Sequence, residues 1–194
     1  MSNITVTPIK ASLATQTEPP ETDFSVTDRA YASSTPIVLT IAGSDSGGGA
    51  GIQADIKAIS ATGGYACSVI TAITAQNTLG VSAIFPIPLE YVEKQLDAVF
   101  TDLNVVAVKV GMLAESGIIN LVAAKIKQYQ PAFLVVDPVM VATSGDLLLE
   151  VSAISTLKTE LLPLADIITP NLSEGAALIG VDTPDNAADM LNMI

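Results

Sequence analysis

Continuous apolar runs alternate with amphipathic segments along the chain from Pro36 onward. The first run, PIVLTIA at 36–42, is apolar and β-branched, which is typical of a strand buried on both faces. The segment at 51–64 instead spaces its isoleucines as a helix does and ends in two glycines, so it predicts a helix. Further strands are predicted at 66–75, 80–88, 105–113, 132–141 and 165–171. Further helices are predicted at 89–103, 115–129, 151–163, 172–180 and 183–194, the last with Thr183 as its cap.

This regular alternation of strands and helices predicts an α/β fold with a mainly parallel sheet and helices on both faces. In such sheets a ligand binds at the carboxyl ends of the strands. The segments that follow the predicted strands are polar or rich in glycine: GSDSGGGAG, AQNT, GML, DPVMVATSG and TPNLSE. The pattern therefore predicts a ligand site along one edge of the sheet.

Composition narrows the classes of ligand. The chain has 194 residues, 49% of them hydrophobic, as expected for one globular domain with a sizeable core. Eight basic residues against 20 acidic ones give a net charge of -12, which argues against nucleic-acid and membrane partners. The absence of histidine makes zinc chemistry and a histidine base poor hypotheses. A single cysteine cannot form a disulfide within the chain, which favours a reducing, cytoplasmic location.

The two ends of the chain differ from its centre. Residues 1–34 are rich in Ser, Thr and Pro and predict a disordered tail, while 35–194 predict one domain. A plastid transit peptide is the weaker alternative, because Lys10 is the only basic residue before Arg29. The helix at 183–194 is not followed by a strand that would cover it, so we expect the domain to be incomplete at its carboxyl end.

The glycine-rich stretch TIAGSDSGGGAGIQAD, at 40–55, does not fit two known phosphate-binding loops. Gly43 and Gly48 have the spacing of a P-loop, but Gly49 and Ala50 replace its lysine and hydroxyl residue. A dinucleotide-binding loop requires an acid about 20 residues further on, and none occurs there. What remains is a surface that a ligand can approach closely, with N–H groups offered by the following helix. The alternative is a flexible turn, with Asp55 stabilising the helix dipole.

Other polar residues at the predicted strand ends have two interpretations each. The amide of Gln76 suits the edge of a nitrogen heterocycle, or caps a strand end. Lys109 lies in a buried strand, and we favour a structural pairing with Asp137 over catalysis. Asp137, Asn171 and Glu174 carry oxygen ligands that suit magnesium. Equally, Asp137 precedes a proline turn and the other two form a capping-box pattern.

Five strings in this order carry a family resemblance: TIAGSDSGGGAGIQAD, CSVITAITAQNT, KVGML, DPVMVATSG and ITPNLSE. They resemble the hydroxymethylpyrimidine/phosphomethylpyrimidine kinases of thiamine biosynthesis, members of the ribokinase-like superfamily, over about 35–180. The resemblance implies a three-layer ribokinase-like sandwich. It also implies phosphorylation of 4-amino-5-hydroxymethyl-2-methylpyrimidine and then of its monophosphate, with ATP and Mg²⁺.

The resemblance assigns roles to individual residues. The pyrimidine is expected at Gly43, Asp55, Gln76 and Met112, with the amide on the ring nitrogens and the methionine as an apolar wall. The nucleotide is expected at Asp137, Thr143, Asn171 and Glu174, and the magnesium ion at Asp137 and Glu174. Thr143 stands where many relatives have lysine, so one charge near the triphosphate is absent.

The family's later glycine loop, GTGC, has no counterpart before Ile194, so no catalytic residue is assigned. That loop is the anion hole for the transferred phosphoryl group, so we expect weak ATP binding and poor turnover. Two alternatives stay open, namely a pyridoxine or pyridoxal kinase and a non-catalytic pyrimidine-binding fragment. The family often pairs subunits, which makes a homodimer an expectation.

Overall fold

The computed structural model describes residues 35–140 and 151–183, which belong to a compact unit that begins at Thr35. The predicted tail at 1–34, Thr143 and all of the predicted helix at 183–194 except its cap, Thr183, lie outside the described residues. Within the described ranges, no helix has both the length and the apolar character that crossing a membrane requires.

Six strands form one sheet in the order β3-β2-β1-β4-β5-β6. Their bounds are β1 (Ile37–Asp45), β2 (Tyr65–Asn77), β3 (Gly80–Pro86), β4 (Val105–Val110), β5 (Phe133–Val136) and β6 (Ile167–Ile168). All neighbouring pairs are parallel except β2 and β3, which are antiparallel. The predicted strand at 165–171 is real but only two residues long. The prediction of a mainly parallel sheet is confirmed.

The helices are α1 (Gly51–Ala61), α2 (Leu89–Asp102), α3 (Ser116–Tyr129), α4 (Val151–Thr156) and α5 (Leu172–Ile179). The prediction of one regular helix over 151–163 is wrong in its second half. There the chain forms a π-helical turn at Leu157–Leu161 and a 3-10 turn at Leu162–Leu164. Pro163 has no N–H to donate to the preceding turn, so the regular α-helical pattern cannot continue through it.

The helices cover both faces of the sheet, as consecutive residues of β1 show. Leu39 and Ile41 are fully buried and belong to the core that includes α2 and α3. Thr40 lies between them and therefore points to the opposite face, where its hydroxyl donates to Asp55 of α1. Because β1 is buried on both faces, its apolar residues do not alternate with polar ones. The predicted arrangement of helices on both faces is confirmed.

A buried cation joins α2 to α3 on the side of the sheet away from α1. Lys125 is 8% exposed, and its Nζ lies 2.7 Å from Asp97 Oδ1 and 3.0 Å from Glu93 Oε1. The Tyr129 hydroxyl donates to the same Asp97 oxygen at 2.9 Å. The hydrogen bond from Lys125 holds the pKa of Asp97 below its usual value. The same bond raises the pKa of Lys125.

We expect Lys125→Met to lower the free energy of unfolding by roughly 1 kcal/mol at pH 7, because both carboxylates lose their cation but stay partly solvated. Lys127→Met is the matched control in the same helix. Its partner Glu160 lies at 3.5 Å and both side chains are about half exposed, so the expected change is near zero. Urea unfolding measures both variants.

The pH dependence of this difference follows from the lowered pKa of Asp97. The charged Asp97 carboxylate stabilises the folded state fully above the usual aspartate pKa near 3.8. This stabilisation is lost as the pH falls through the lower pKa that Asp97 has in the folded state. The difference in free energy of unfolding between the wild type and Lys125→Met should therefore become smaller in acid. A gap that stays constant from pH 7 to acid would contradict this assignment.

Candidate functional site

The carboxyl ends of β1, β4 and β5 meet at one cavity of about 310 Å³. That volume is at the lower end of the range for small-ligand pockets. Five of the predicted site residues line this cavity: Gly43, Asp55, Gln76, Met112 and Asp137. These residues are far apart in the sequence, and the parallel sheet brings them together. Their binding roles stay predictions.

A lysine between two carboxylates forms one wall of the cavity. Lys109 Nζ lies 3.2 Å from Asp55 Oδ2 and 3.7 Å from Asp137 Oδ2. The predicted pairing of Lys109 with Asp137 is confirmed, and the closer partner, Asp55, was not predicted. Asp55 also accepts the hydroxyl of Thr40 at 2.6 Å. The alternative that Asp55 stabilises the dipole of α1 is wrong, because the first turn of that helix contains no acid.

The glycine loop folds around a carboxylate that the sequence analysis did not single out. Asp45 Oδ1 accepts the N–H of Gly47 at 2.7 Å, and Oδ2 accepts those of Gly49 at 2.9 Å and Ala50 at 2.8 Å. The Asp45 carbonyl oxygen accepts the N–H of Gly48 at 3.0 Å. Asp45 is only 5% exposed. The predicted N–H groups were those at the start of the following helix, and the N–H of its N-cap, Ala50, is already bonded to Asp45. The N–H groups from Gly51 onward stay a prediction.

These hydrogen bonds also set the ionisation of Asp45. Burial by itself raises the pKa of this carboxyl, but hydrogen bonds from the backbone N–H groups of the loop outweigh burial and hold the pKa below its usual value. The carboxylate is therefore charged at neutral pH, and the partners that stabilise its charge are backbone N–H groups. The usable sequence signal was an aspartate directly after a strand and before glycines, which favours a side chain bonded to its own loop.

Two glycines let the loop and helix approach the end of β1. Gly51 has a φ of 55°, and a Cβ there would overlap the carbonyl oxygen of Gly43. Only glycine therefore allows α1 to begin so close to the strand. Gly43 lies at an irregularity in the β1–β2 register, and a Cβ there would sit 3.4 Å from Met112 Sδ. Met112, which is 7% exposed, therefore packs beside the backbone of Gly43 and forms an apolar wall of the cavity.

The amide of Gln76 is held at the cavity by its neighbours on β2. Thr74 Oγ1 lies 3.1 Å from Gln76 Oε1 and 3.0 Å from the carbonyl oxygen of Ser44. One hydroxyl has one hydrogen, so it donates to only one of these oxygens at a time. The backbone of Gln76 is fixed as well, because its N–H donates to Ser46 Oγ and its carbonyl accepts that hydroxyl. The backbone of Gln76 is therefore fixed, whereas its side-chain amide, among the residues that the structure describes, is bonded only when the Thr74 hydroxyl donates to it.

The residues expected to hold the nucleotide are only partly described. Asn171 and Glu174 form a capping box at the start of α5, with side-chain to backbone distances of 2.9 and 2.8 Å. The other Glu174 oxygen accepts the N–H of Met140 at 3.4 Å, which ties α5 to the segment after Asp137. The structural alternative for this pair is confirmed. Across 35–140 and 151–183, no three or more acidic or cysteine side chains cluster as a metal centre would require.

Val139 is a further lining residue that the sequence analysis did not name. It follows Asp137 and Pro138 at the end of β5 and adds apolar surface to the cavity. An apolar residue in a strand-end segment gives no distinguishing signal, because most apolar residues there belong to the core. Only the position of β5 beside β4 makes it part of the site.

The family described as phosphomethylpyrimidine kinase matches residues 45–194. A hydroxymethylpyrimidine/phosphomethylpyrimidine kinase of Escherichia coli (strain K12) is 51% identical over 153 residues, which cover 79% of this chain and 58% of that protein. The crystal structure of a phosphomethylpyrimidine kinase from Clostridium difficile 630 superposes with a TM-score of 0.74 at 49% identity, covering 82% of this chain and 68% of that one. The structure of a Staphylococcus aureus pyridoxal kinase in complex with AMP-PCP and pyridoxal superposes with a TM-score of 0.73 at 33% identity, covering 83% of this chain and 57% of that one.

The sheet order, the cavity at its carboxyl edge and these superpositions define a ribokinase-like fold. Within that class, the chain belongs to the phosphomethylpyrimidine kinase family. It spans 58% of the length of the E. coli relative.

We expect Lys109→Met to lower the free energy of unfolding by about 2 kcal/mol, because Asp55 and Asp137 then face each other without a cation. Adding Asp55→Asn removes that repulsion, so the double variant should be more stable than Lys109→Met alone. Urea unfolding of the four proteins measures the coupling. Lys127→Met serves again as the exposed control, and simple additivity of the two substitutions would refute the charge cluster.

Proposed function

We propose that this chain forms the pyrimidine-binding, amino-terminal portion of a kinase that phosphorylates 4-amino-5-hydroxymethyl-2-methylpyrimidine and its monophosphate in thiamine biosynthesis. The observation that carries the proposal is the shared cavity of Gly43, Asp55, Gln76 and Met112. The family resemblance of the sequence implies the same four residues for the pyrimidine. The family match and the similarity to the E. coli hydroxymethylpyrimidine/phosphomethylpyrimidine kinase support the same function.

The chemistry of the cavity suits a small, flat, polar ring. An amide at Gln76 can both donate and accept, which matches an aminopyrimidine edge. The carboxylate of Asp55 can accept from an exocyclic amine while Lys109 balances its charge. Met112 and Val139 supply the apolar contact that a ring face requires. Gly43 presents backbone without a side chain at this strand end, beside Met112.

ATP and Mg²⁺ are the proposed cofactors. The AMP-PCP bound to the S. aureus pyridoxal kinase supports a nucleotide in this fold. Asp137, Asn171 and Glu174 fit the group chemically, since a carboxylate or amide oxygen that accepts one N–H keeps a further lone pair for a metal-bound water. A magnesium ion there would neutralise phosphate charge during transfer. Thr143 keeps its proposed nucleotide role, and the lone free thiol, Cys67, supports a reducing, cytoplasmic setting.

A pyridoxal kinase is the second candidate, because the S. aureus enzyme has the same fold and was solved with pyridoxal. The identity to that enzyme is 33%, against 51% for the E. coli pyrimidine kinase, which favours the pyrimidine. Both ligands carry a hydroxymethyl group on a nitrogen ring, so the two readings differ in the ring edge that Gln76 contacts.

Calorimetry of residues 1–194 with the pyrimidine tests the proposal. We expect binding, and we expect Gln76→Ala to weaken it about tenfold by removing one hydrogen-bonded ring contact. Gln128→Ala, on an exposed face of α3, is the matched control and should bind as wild type does. Pyridoxal should bind more weakly than the pyrimidine. Tighter binding of pyridoxal would favour the second candidate, and no binding of either ring would reject both.

We further propose that the chain pairs with a second copy through β2 and β3. Ile73 and Phe85 face each other across these strands and are 50% and 63% exposed, a large apolar area for an unpaired surface. Sedimentation should show a dimer that Phe85→Asp converts to a monomer. Phe133→Asp, equally exposed on β5, should leave the dimer intact. A wild-type monomer would refute the pairing.

A further inference from the structure

The glycine loop holds an anion that belongs to the chain itself. Both oxygens of the Asp45 carboxylate accept backbone N–H groups, from Gly47 on one side and from Gly49 and Ala50 on the other, at 2.7–2.9 Å. Successive backbone N–H groups that converge in this way form a concavity of the kind that binds phosphate in other proteins. Here that concavity contains a buried, charged side chain.

The loop is also tied down around this carboxylate. The Asp45 N–H donates to Gln53 Oε1 at 2.8 Å, and Gln53 Nε2 donates to Ser44 Oγ at 2.7 Å. Ser46 Oγ donates to the carbonyl oxygen of Gln76 at 2.6 Å, which fastens the loop to the end of β2. The N–H groups around Asp45 therefore belong to a fixed wall of the cavity.

An external phosphate at this loop would meet two obstacles. It would have to displace Asp45 from three hydrogen bonds, and the displaced charge would stay close to the phosphate. Lys57 lies close to the loop, but its Nζ donates to the carbonyl oxygen of Gly48 at 2.7 Å. It therefore already has a partner within the loop.

We propose that Asp45 is a built-in anion that closes the glycine loop to phosphate and positions it as a wall for an uncharged ring. Asp45 is thus a specificity-determining and positioning residue, and phosphate groups of any substrate or nucleotide bind elsewhere. The part of this inference that concerns the ring rests on the proposed function. The part that concerns phosphate does not.

Two substitutions separate the carboxylate's charge from its volume. Asp45→Ala leaves three N–H groups around a small space, which inorganic phosphate or formate can then enter. Asp45→Asn keeps that space filled but puts an amide NH₂ where one carboxylate oxygen accepted hydrogen bonds. Asp102→Ala is the control, since Asp102 is an exposed aspartate at the end of α2, away from the cavity residues.

Amide NMR titration with inorganic phosphate is the first measurement. In the wild-type chain we expect the Gly47, Gly49 and Ala50 resonances to stay unchanged, and in Asp45→Ala we expect them to shift on saturable binding. Phosphate that shifts these resonances in the wild type overturns the proposal. A folded Asp45→Ala variant whose resonances shift with neither phosphate nor formate also overturns it. The wild-type result decides by itself if that variant does not fold.

Pyrimidine affinity is the second measurement, with thermal unfolding recorded in parallel. We expect both Asp45 variants to lose about tenfold in affinity, and formate to restore Asp45→Ala but not Asp45→Asn. A purely structural role would lower the melting temperature while the folded fraction bound pyrimidine normally, and this would overturn the positioning claim. If the wild type itself fails to bind pyrimidine, the proposed function fails, while the phosphate titration still decides whether Asp45 closes the loop.

Discussion

Parallel pairing of β1 with β2 on one side and β4 on the other is the constraint on which the site depends. Parallel pairing gives β2 and β4 the same direction as β1, and the parallel pairing of β4 with β5 extends that direction to β5. The chain segments that leave β1, β4 and β5 must therefore emerge at one edge of the sheet. The glycine loop, Met112 and Asp137 meet there for that reason, although 94 positions of the chain separate Gly43 from Asp137.

The cavity stabilises its carboxylates in two different ways. Asp55 and Asp137 share the charge of Lys109, whereas Asp45 is surrounded by backbone dipoles. Lys109 can turn towards a ligand, because its own side chain is long and flexible and keeps 26% of its surface exposed. Backbone N–H groups in a tight glycine loop cannot move in that way. The Lys109 wall is thus the adaptable side of the cavity, and the Asp45 wall is the fixed side.

Most helices and strands could be predicted from periodicity, because apolar spacing reports directly which side of an element is buried. The capping box of Asn171 and Glu174 was also readable, since all of its partners lie within four consecutive residues. The two-residue length of β6 was not, because it depends on pairing with β5. The break before Pro163 was missed although the proline itself marks it. The Asp45 loop was missed although its signal was local, since glycines fit many turns equally well.

By itself, the sequence determined the alternation of elements, the need of Lys109, in a buried strand, for an acidic partner, and the family to which the chain belongs. Only the tertiary structure decided that Asp55 is the closer partner of Lys109, and that the loop's N–H groups are bonded to Asp45 rather than directed at a ligand. The physical reason is that residue types state which interactions a side chain requires, whereas the distances that select one partner among several exist only after the strands have paired.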